Sequence, residues 1–459
     1  MGKDFIELFP CLEWEDTNMT LYWDIVPGEM CNFHCLTCYA ADNARPDLRV
    51  LDWPEMKKAL DRVISLNIKD IYLLGGEPLM YRDIEKFVGY FKSKVKDGFC
   101  GIVTNGSLVT KEKARSLLNA GLDLFNFSID GTTAEINDLN RGKGTFELIM
   151  NGIENAKAVG MPFVIGYTIT PFNTLDTVNL FPFVQRIGAK ALSVQITEKS
   201  GRAIRYFKEW DYIEGLKAIC RMYQYRPPFY VTITPKKLFV DFLNYFFNAG
   251  LNQDEAKSAI CNGGLTMAFV SSGGDLFPCA EYAYSRSNGQ VRRGVNLVSD
   301  NFDVIEAFVN KDFTKFNKAM RLLAKTKFTT CKSCKYIDFC SPCPLSSAPG
   351  VVPECEWVKM QTNKLKGKVL NSRIKLLIKP QPINDSKISF SVTTQKQPLI
   401  INMSSVEFQK LIDLREVSAI VNIYKLKNQN IEQVEYKVIE FLCKLRSHKI
   451  IEIEGFDIE

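Results

Sequence analysis

The sequence predicts an α/β fold built on a parallel sheet, and three observations carry that prediction. Short apolar runs alternate with segments of helical period from about residue 21 to residue 197. Polar and glycine residues gather where those runs end, which is where parallel α/β folds place their sites. Ten of the fourteen cysteines fall in two fields, three near the start and seven late in the chain. Strand–helix alternation alone fits an open doubly wound sheet or a barrel equally well.

The strands are expected at Leu21–Val26, Asp70–Leu74, Gly101–Thr104, Leu122–Ile129, Phe163–Thr170 and Ala191–Ile196. Helices are expected between them at Trp53–Leu66, Ile84–Val95, Lys111–Ala120 and Phe146–Val159. A chain of 459 residues suffices for two or three cores. No stretch has the roughly twenty apolar residues of a membrane span. The N-terminus lacks a basic-then-apolar targeting pattern, so a cytoplasmic location without membrane attachment is expected. There, fourteen cysteines argue for metal or redox chemistry rather than disulfides. Cys11, Cys100, Cys220 and Cys443 lie in apolar or helical surroundings and are expected to be inert. Only two histidines argue against histidine acid–base catalysis.

The first field reads Cys31-Asn-Phe-His-Cys35-Leu-Thr-Cys38. Three thiolates on one loop can hold three irons of a [4Fe–4S] cube and leave the fourth iron open. A zinc knuckle is the alternative, although zinc favours four ligands in CxxC pairs. Downstream, an apolar run delivers Gly75-Gly76-Glu77-Pro78, two glycines and an acid suited to an ammonium group. Further strand ends carry Thr104-Asn105-Gly106, Ser128-Ile-Asp130 and Gln195-Ile196, and Arg141 opens Arg-Gly-Lys-Gly.

In this order the motifs resemble the radical SAM superfamily. The resemblance implies a partial (β/α)6 TIM barrel with S-adenosylmethionine (SAM) on the open iron. It implies SAM contacts at Gly75, Gly76, Glu77, Pro78, Thr104, Asn105, Ser128, Asp130, Arg141, Gln195 and Ile196. Glu77 is expected at the amino group and Arg141 at the carboxylate, which its guanidinium geometry suits. Thr37 stands where the family commonly has an aromatic residue against adenine, and Phe33 or Tyr39 is the substitute.

The second field comprises Cys261, Gly274-x4-Cys279, Cys331-x2-Cys334-x5-Cys340-x2-Cys343 and Cys355. It resembles the SPASM extension of radical SAM peptide-modifying enzymes, with one residue fewer between Cys340 and Cys343 than usual. The resemblance implies two auxiliary [4Fe–4S] clusters, making three in all. Cys331, Cys334, Cys340 and Cys355 would hold the outer one; Cys261, Cys279 and Cys343 would hold the inner one. A zinc ribbon on Cys331, Cys334, Cys340 and Cys343 is the alternative, since soft thiolates suit both metals.

Residues 361–459 hold 16 Lys+Arg and 11 Asp+Glu, so nearly all of the net +6 charge lies there. Strands are expected at Lys375–Lys379, Ile388–Thr393 and Leu399–Asn402, then helices at Ser405–Leu414 and Glu432–Ser447. This order resembles the small winged-helix-like, PqqD-like domain that recognises leader peptides, to which a leader would add a strand. The expected organisation is therefore a barrel over 1–215, a SPASM region over 216–365 and a recognition domain over 366–459. The expected function is hydrogen abstraction from a ribosomally made precursor peptide, forming a thioether or carbon–carbon cross-link. A flavodoxin or ferredoxin would be the reductant, and nucleic acid is not an expected partner. Alternatives are a sulfatase-type maturase and a cluster-bearing DNA-binding regulator. No side chain is assigned as catalytic acid or base.

Overall fold

The computed structural model describes residues 19–40, 49–223, 227–233, 237–251, 261–284, 294–332, 334, 343, 345, 350–378, 380–384, 386–390, 399–401, 403–425, 431–454 and 456. Cys11 and Cys340 lie outside them. The first half repeats one unit, strand then helix. In order these are β1 (Thr20–Asp24), α1 (Trp53–Ser65), β2 (Asp70–Leu74), α2 (Ile84–Lys94), β3 (Phe99–Thr104), α3 (Lys111–Ala120), β4 (Leu124–Ile129), α4 (Ala134–Arg141), α5 (Thr145–Ala158), β5 (Phe163–Ile169), α6 (Thr177–Ile187) and β6 (Ala191–Ile196).

Local chemistry fixes the helix ends. Asp52 and Glu55 form a capping box at the start of α1, satisfying two otherwise orphaned amide donors. Thr110 caps α3, and Gly121 ends it in the left-handed region.

The six strands pair in parallel and in sequence order. The sheet then extends past both expected edges. Tyr230–Ile233 (β7) pairs in parallel with β6. Met267–Val270 (β8) pairs in parallel with β1 on its other side. Asp275–Phe277 (β9) and Val295–Asn296 (β10) continue antiparallel from β8. The described sheet thus has ten strands in the order β10-β9-β8-β1-β2-β3-β4-β5-β6-β7.

Alternation divides the strand residues between two apolar layers. Leu21, Trp23, Ile71, Leu73, Ile102, Phe125, Phe127 and Ile165 pack toward the helices. Tyr72, Phe99, Leu124, Val164 and Ala191 form the opposite, inner layer, joined by Tyr22, Leu74, Val103 and Tyr230. Burying each large side chain of this kind contributes about 1.5–3 kcal/mol. The inner layer is the apolar floor beneath the strand ends that carry the motifs.

Beyond β7 the chain forms Lys237–Phe247 (α9, after Ala203–Tyr206 as α7 and Tyr212–Met222 as α8), Ala280–Tyr284 (α10), Phe302–Ala307 (α11), Thr314–Lys327 (α12) and Pro353–Leu370 (α13). The C-terminal part holds Ile374–Leu376 (β11) paired antiparallel with Ile451–Ile453 (β15). A separate antiparallel sheet runs Gln381–Asn384 (β12), Lys387–Phe390 (β13), Leu399–Ile401 (β14). Helices Ser405–Asp413 (α14), Val417–Lys425 (α15) and Ile431–Ser447 (α16) complete it. The strand at Gln381–Asn384 and the helix at Val417–Lys425 were not expected from the sequence. Val417-Ser-Ala-Ile-Val-Asn-Ile is rich in β-branched residues, which mute a helical signal.

This C-terminal part is docked rather than tethered. Tyr245 of α9 stacks on Tyr436 of α16, centroids 4.4 Å apart, and its hydroxyl donates to the Tyr436 carbonyl at 3.1 Å. Asn248 Nδ2 donates to Ser447 Oγ at 3.1 Å. Phe247 meets Phe456, and Arg446 lies 3.9 Å over the Phe456 ring. Among the described residues, no helix is long and apolar enough to cross a membrane.

Candidate functional site

The segment after β1 turns sharply and rests on the end of β2. Ile25 N donates to Leu74 O, and Glu77 N donates to Met30 O at 2.9 Å. Two glycines make this approach possible. Gly75 takes φ +126, and a Cβ on it would stand 2.1 Å from Val26 O. A Cβ on Gly76 would stand 2.1 Å from Met30 O and 2.7 Å from Pro27 O. Both obstacles are backbone, so neither can swing aside. Gly76→Ala is therefore expected to push the 27–30 turn away from β2 and destabilise the fold by about 1–3 kcal/mol. Thermal unfolding checks the loss; an unchanged midpoint contradicts the close approach.

Glu77 is fully buried. Its Oε1 accepts from Leu79 N at 3.1 Å and from Thr104 Oγ1 at 2.7 Å, and its Oε2 accepts from Asn105 N at 2.8 Å. Burial pushes its carboxyl up to about 7, against the pull of those three donors. The carboxylate thus knits the end of β2 to the end of β3. Glu77→Ala is expected to cost roughly 3 kcal/mol, about one per lost hydrogen bond. Denaturant unfolding measures this, and a cost near zero removes the knitting role.

The cysteine loop follows. Phe33 is buried and anchors it, while His34 between the thiols is exposed. Cys31 Sγ accepts from Phe33 N at 3.4 Å and faces Asn105 Nδ2 at 3.8 Å. Asn105 also donates to Asn32 Oδ1 at 2.9 Å. Burial raises the Cys31 and Cys35 thiols, Cys35 to about 11, and Cys38 adds to both shifts. The three thiols therefore feel one another electrostatically.

A buried polar knot supports the loop from behind. Asn140 O accepts from Leu36 N, Asn140 Oδ1 accepts from Thr37 N, and Asn140 Nδ2 donates to Thr37 Oγ1 at 2.9 Å. The same Nδ2 donates to Asp130 Oδ2 at 2.6 Å. Arg141 Nε lies 2.7 Å from that oxygen, in an almost wholly buried ion pair. Its Nη1 points at Cys35 Sγ, 4.0 Å away. Asp130 Oδ1 accepts from Thr168 N at 3.0 Å, and Asn173 Nδ2 donates to Asp130 O. Thr37 is thus spent on Asn140, which accounts for a hydroxyl at that position. Asn140, Asn173 and Arg202, whose amide donates to Cys38 O at 3.0 Å and whose Nη1 donates to Cys35 O at 3.3 Å, are structural members of the site that the sequence does not single out. Isolated polar residues carry no periodic signal.

The remaining motif residues come together at the strand ends. Ser128 is half-buried and registers with Gly166, which registers with Ser193. Gln195 is exposed and donates to Thr168 Oγ1 at 3.3 Å, whereas Ile196 is buried. Pro78 is buried and opens a short 3-10 turn.

The later cysteines form two neighbourhoods. Cys261 and Cys279 are raised by burial, Cys279 to about 12, and Cys343 adds to both shifts. Cys279 Sγ accepts from Tyr282 N at 3.3 Å. Cys331 is buried with Ala324, Phe328 and Val352, and Cys355 packs on that cluster. Cys334 N donates to Cys331 O, and Cys334 and Cys355 both act on Lys359. Among the described residues, no three His, Cys, Asp or Glu side chains stand in a finished metal-holding arrangement. The thiols are neighbours, and the donor set is one that iron–sulfur clusters accept. Ionising Cys31, Cys35, Cys261 or Cys279 is disfavoured by burial and by neighbouring thiols, a cost that a cationic centre between them would relieve.

Residues 25–181 match the family described as the Radical SAM superfamily. An AdoMet-dependent heme synthase of Methanosarcina barkeri is 29% identical over 276 residues, 56% of this chain and 75% of that protein. SuiB of Streptococcus suis, solved with the precursor peptide SuiA, aligns with TM-score 0.52 at 17% identity, covering 71% of each chain. The structure of anSMEcpe with AdoMet and the Kp18Cys peptide aligns with TM-score 0.55 at 21% identity, covering 74% of this chain and 94% of that one. The strand order and the cysteine loop at its head define an α/β protein with a mostly parallel central sheet. Residues 25–181 are a radical SAM domain, and the activity is that of a radical SAM enzyme.

Proposed function

We propose that the protein modifies a ribosomally made precursor peptide. The observation that carries this reading is the grouping of the late cysteines. Cys343 is a neighbour of Cys261 and Cys279, while Cys331, Cys334 and Cys355 form a separate set. A zinc ribbon needs Cys343 with the second set and gives Cys261 and Cys279 no role. Two auxiliary [4Fe–4S] clusters use all six, with Cys340 completing the outer one. In this reading residues 1–215 are the barrel, 216–365 the SPASM region and 366–459 the PqqD-like domain.

A [4Fe–4S] cluster with bound SAM, which Cys31, Cys35 and Cys38 would hold, would supply one-electron radical chemistry able to take a hydrogen atom from a peptide. The chain's own residues hold and orient. Cys31, Cys35 and Cys38 are the cluster ligands. Gly75 and Gly76 present backbone, and Thr104, Asn105, Ser128 and Gln195 line the strand ends where SAM would lie. Arg141, kept charged by Asp130, offers its remaining donors to the carboxylate. The apolar floor of Tyr72, Leu124 and Val164 excludes water from below. At the other end of the chain, β12 is exposed along its whole length and forms a sheet edge. A leader segment can add to it as a further strand. The solved pairing of SuiB with a precursor peptide supports the same reading.

Heme synthesis is the second reading, favoured by the 29% identity over three quarters of the M. barkeri enzyme. The deciding experiment incubates the anaerobically reconstituted protein with SAM and reductant. Short peptides encoded beside its gene are compared with an iron–porphyrin precursor. Loss of a pair of hydrogens from a peptide, matched by 5′-deoxyadenosine, is expected. Turnover of the porphyrin alone overturns the peptide reading.

A further inference from the structure

The turn that carries Cys261 is pressed onto α12 and the residue before it. A Cβ on Gly263 would stand 3.0 Å from Phe316 Cε1 and 3.2 Å from Cys279 Cβ. Gly264 takes φ +68, and a Cβ there would stand 2.9 Å from Phe313 Cβ. Gly264 N donates to Pro278 O at 2.9 Å, which ties the turn to the residue before Cys279. Asn317 of α12 is buried, and its Nδ2 donates to Cys261 O at 2.5 Å and to Gly263 O at 3.3 Å. Phe316 meets the Tyr282 ring edge-on at 5.0 Å, and Tyr282 N donates to Cys279 Sγ. One helix therefore backs both cysteines.

Arg321 stands one helical turn beyond Asn317, on the same side of α12. It is half-buried, and its Nε is shut away from water with no acceptor among the described residues. Its charge acts on Cys261: burial raises that thiol, the Gly263 amide and Arg321 pull it back, and Cys343 adds to the rise. A cation held out of water without a counter-charge is costly, and an orphaned buried donor in a native chain asks for an explanation. Neutral thiols supply no counter-charge. Thiolates gathered in one centre do. The outer set is placed differently. Lys359, which feels Cys334 and Cys355, is exposed and already paired with Glu356 at 2.9 Å. Lys315, Lys318 and Lys325 of α12 are exposed, so water screens them.

We propose that Arg321 is the counter-charge of the inner centre, the one assigned to Cys261, Cys279 and Cys343, and raises its reduction potential. This rests on the reading that the late cysteines hold two iron–sulfur clusters. Net charge and solvent exposure are among the quantities that set such a potential. Reduction adds one electron at the centre, and no bond forms or breaks. A fixed cation in the same half-buried neighbourhood favours that added negative charge, and the low local dielectric strengthens the effect. Asn317 makes the arrangement definite. By holding the Cys261 and Gly263 carbonyls to α12, it holds the thiol in place relative to a guanidinium one turn further along the same helix.

The test uses the full chain with Cys31, Cys35 and Cys38 replaced by alanine, reconstituted anaerobically so that the two late centres remain. Reductive titration followed by low-temperature electron paramagnetic resonance reads their midpoints, and the midpoint lost in Cys279→Ala marks the inner one. Arg321→Gln is expected to move the inner midpoint to more negative potential and to leave the outer one in place. At a fixed potential the reduced-to-oxidised ratio of the inner centre should fall at least about tenfold, which is about 59 mV for one electron. Arg321→Lys keeps the charge and should keep most of the higher midpoint. An unmoved inner midpoint overturns the proposal. So does equal movement of both midpoints, or a Lys variant that moves as far as the Gln variant. Loss of about four irons from Arg321→Gln makes the residue a structural support and overturns the tuning role as well. Zinc in place of iron at the late sites of the parent chain is a different failure. It removes the clusters themselves, and the proposal with them.

Discussion

Replacing Cys31, Cys35 and Cys38 together by alanine is expected to abolish 5′-deoxyadenosine formation and to remove about a third of the iron. The reconstituted wild type should hold about twelve irons at three sites, and the variant about eight. The two effects separate because the cysteine groups are separate. The first loop leans on Gly75, Gly76, Asn105 and Asn140, none of which touches the late cysteines in the hydrogen bonds described. Stability should change modestly, since the loop is anchored by Phe33 and by backbone bonds to Met30 and Leu36 rather than by its thiols. Iron analysis and product chromatography on one preparation give both numbers. A wild type holding only about four irons, with zinc at the other sites, overturns the auxiliary assignment. A triple variant that still cleaves SAM overturns the assignment of the loop.

Asp130→Ala is expected to be the most destabilising single change in the site, by about 3–5 kcal/mol. Asp130 is 1% exposed and Arg141 9% exposed, so removing the carboxylate strands a cation out of water. Asn140 Nδ2 and Thr168 N lose an acceptor at the same time. Burial works against the charge on Arg141, and Asp130 together with Cys35 and Cys38 more than offsets it. The double variant Asp130→Ala with Arg141→Ala should recover part of the loss, because the stranded charge is then gone. Denaturant unfolding of the two single variants and the double variant measures the coupling. Strict additivity would mean that the pair is not coupled. The same variants bear on SAM: Arg141→Ala should weaken its binding while leaving the cluster's visible absorption in place.

The sequence reading placed the first six strands and the four named helices to within a few residues. Each lies in a stretch where apolar periodicity persists over a whole element. It did not find β7 to β10, which are only two to four residues long. Such strands carry too little local pattern to register. The cysteine groups were legible because thiol spacing is a sharp signal and because their order resembles a known arrangement. The polar residues behind the loop, Asn140 and Asn173, were not. Nothing in Leu139-Asn140-Arg141 says that Asn140 threads the cysteine loop to Asp130. Glu77 and Arg141 were singled out for a ligand, and both also serve the protein. Glu77 ties two strand ends together, and Arg141 spends its Nε on Asp130. A charge in a motif announces that it needs a partner and leaves open whether the partner is protein or ligand.

The pairing of β1 with β8 bears on how this chain reaches its native state. Thr20 aligns with Met267, so the first strand waits for a partner on the order of 250 residues away. During synthesis β2 to β6 can assemble in order, each on the one before. The free edge of β1 stays open until the segment after Cys261 has emerged. An open parallel edge is a template for the wrong chain as well as the right one, and contacts this distant in sequence close slowly. The nascent protein therefore passes through a long interval with its first cysteine loop formed beside an unsealed edge. That interval is when aggregation competes with maturation. Closing the sheet seats β8 on the free edge of β1, so arrival of the distal half completes the core and ends the vulnerable period in the same step.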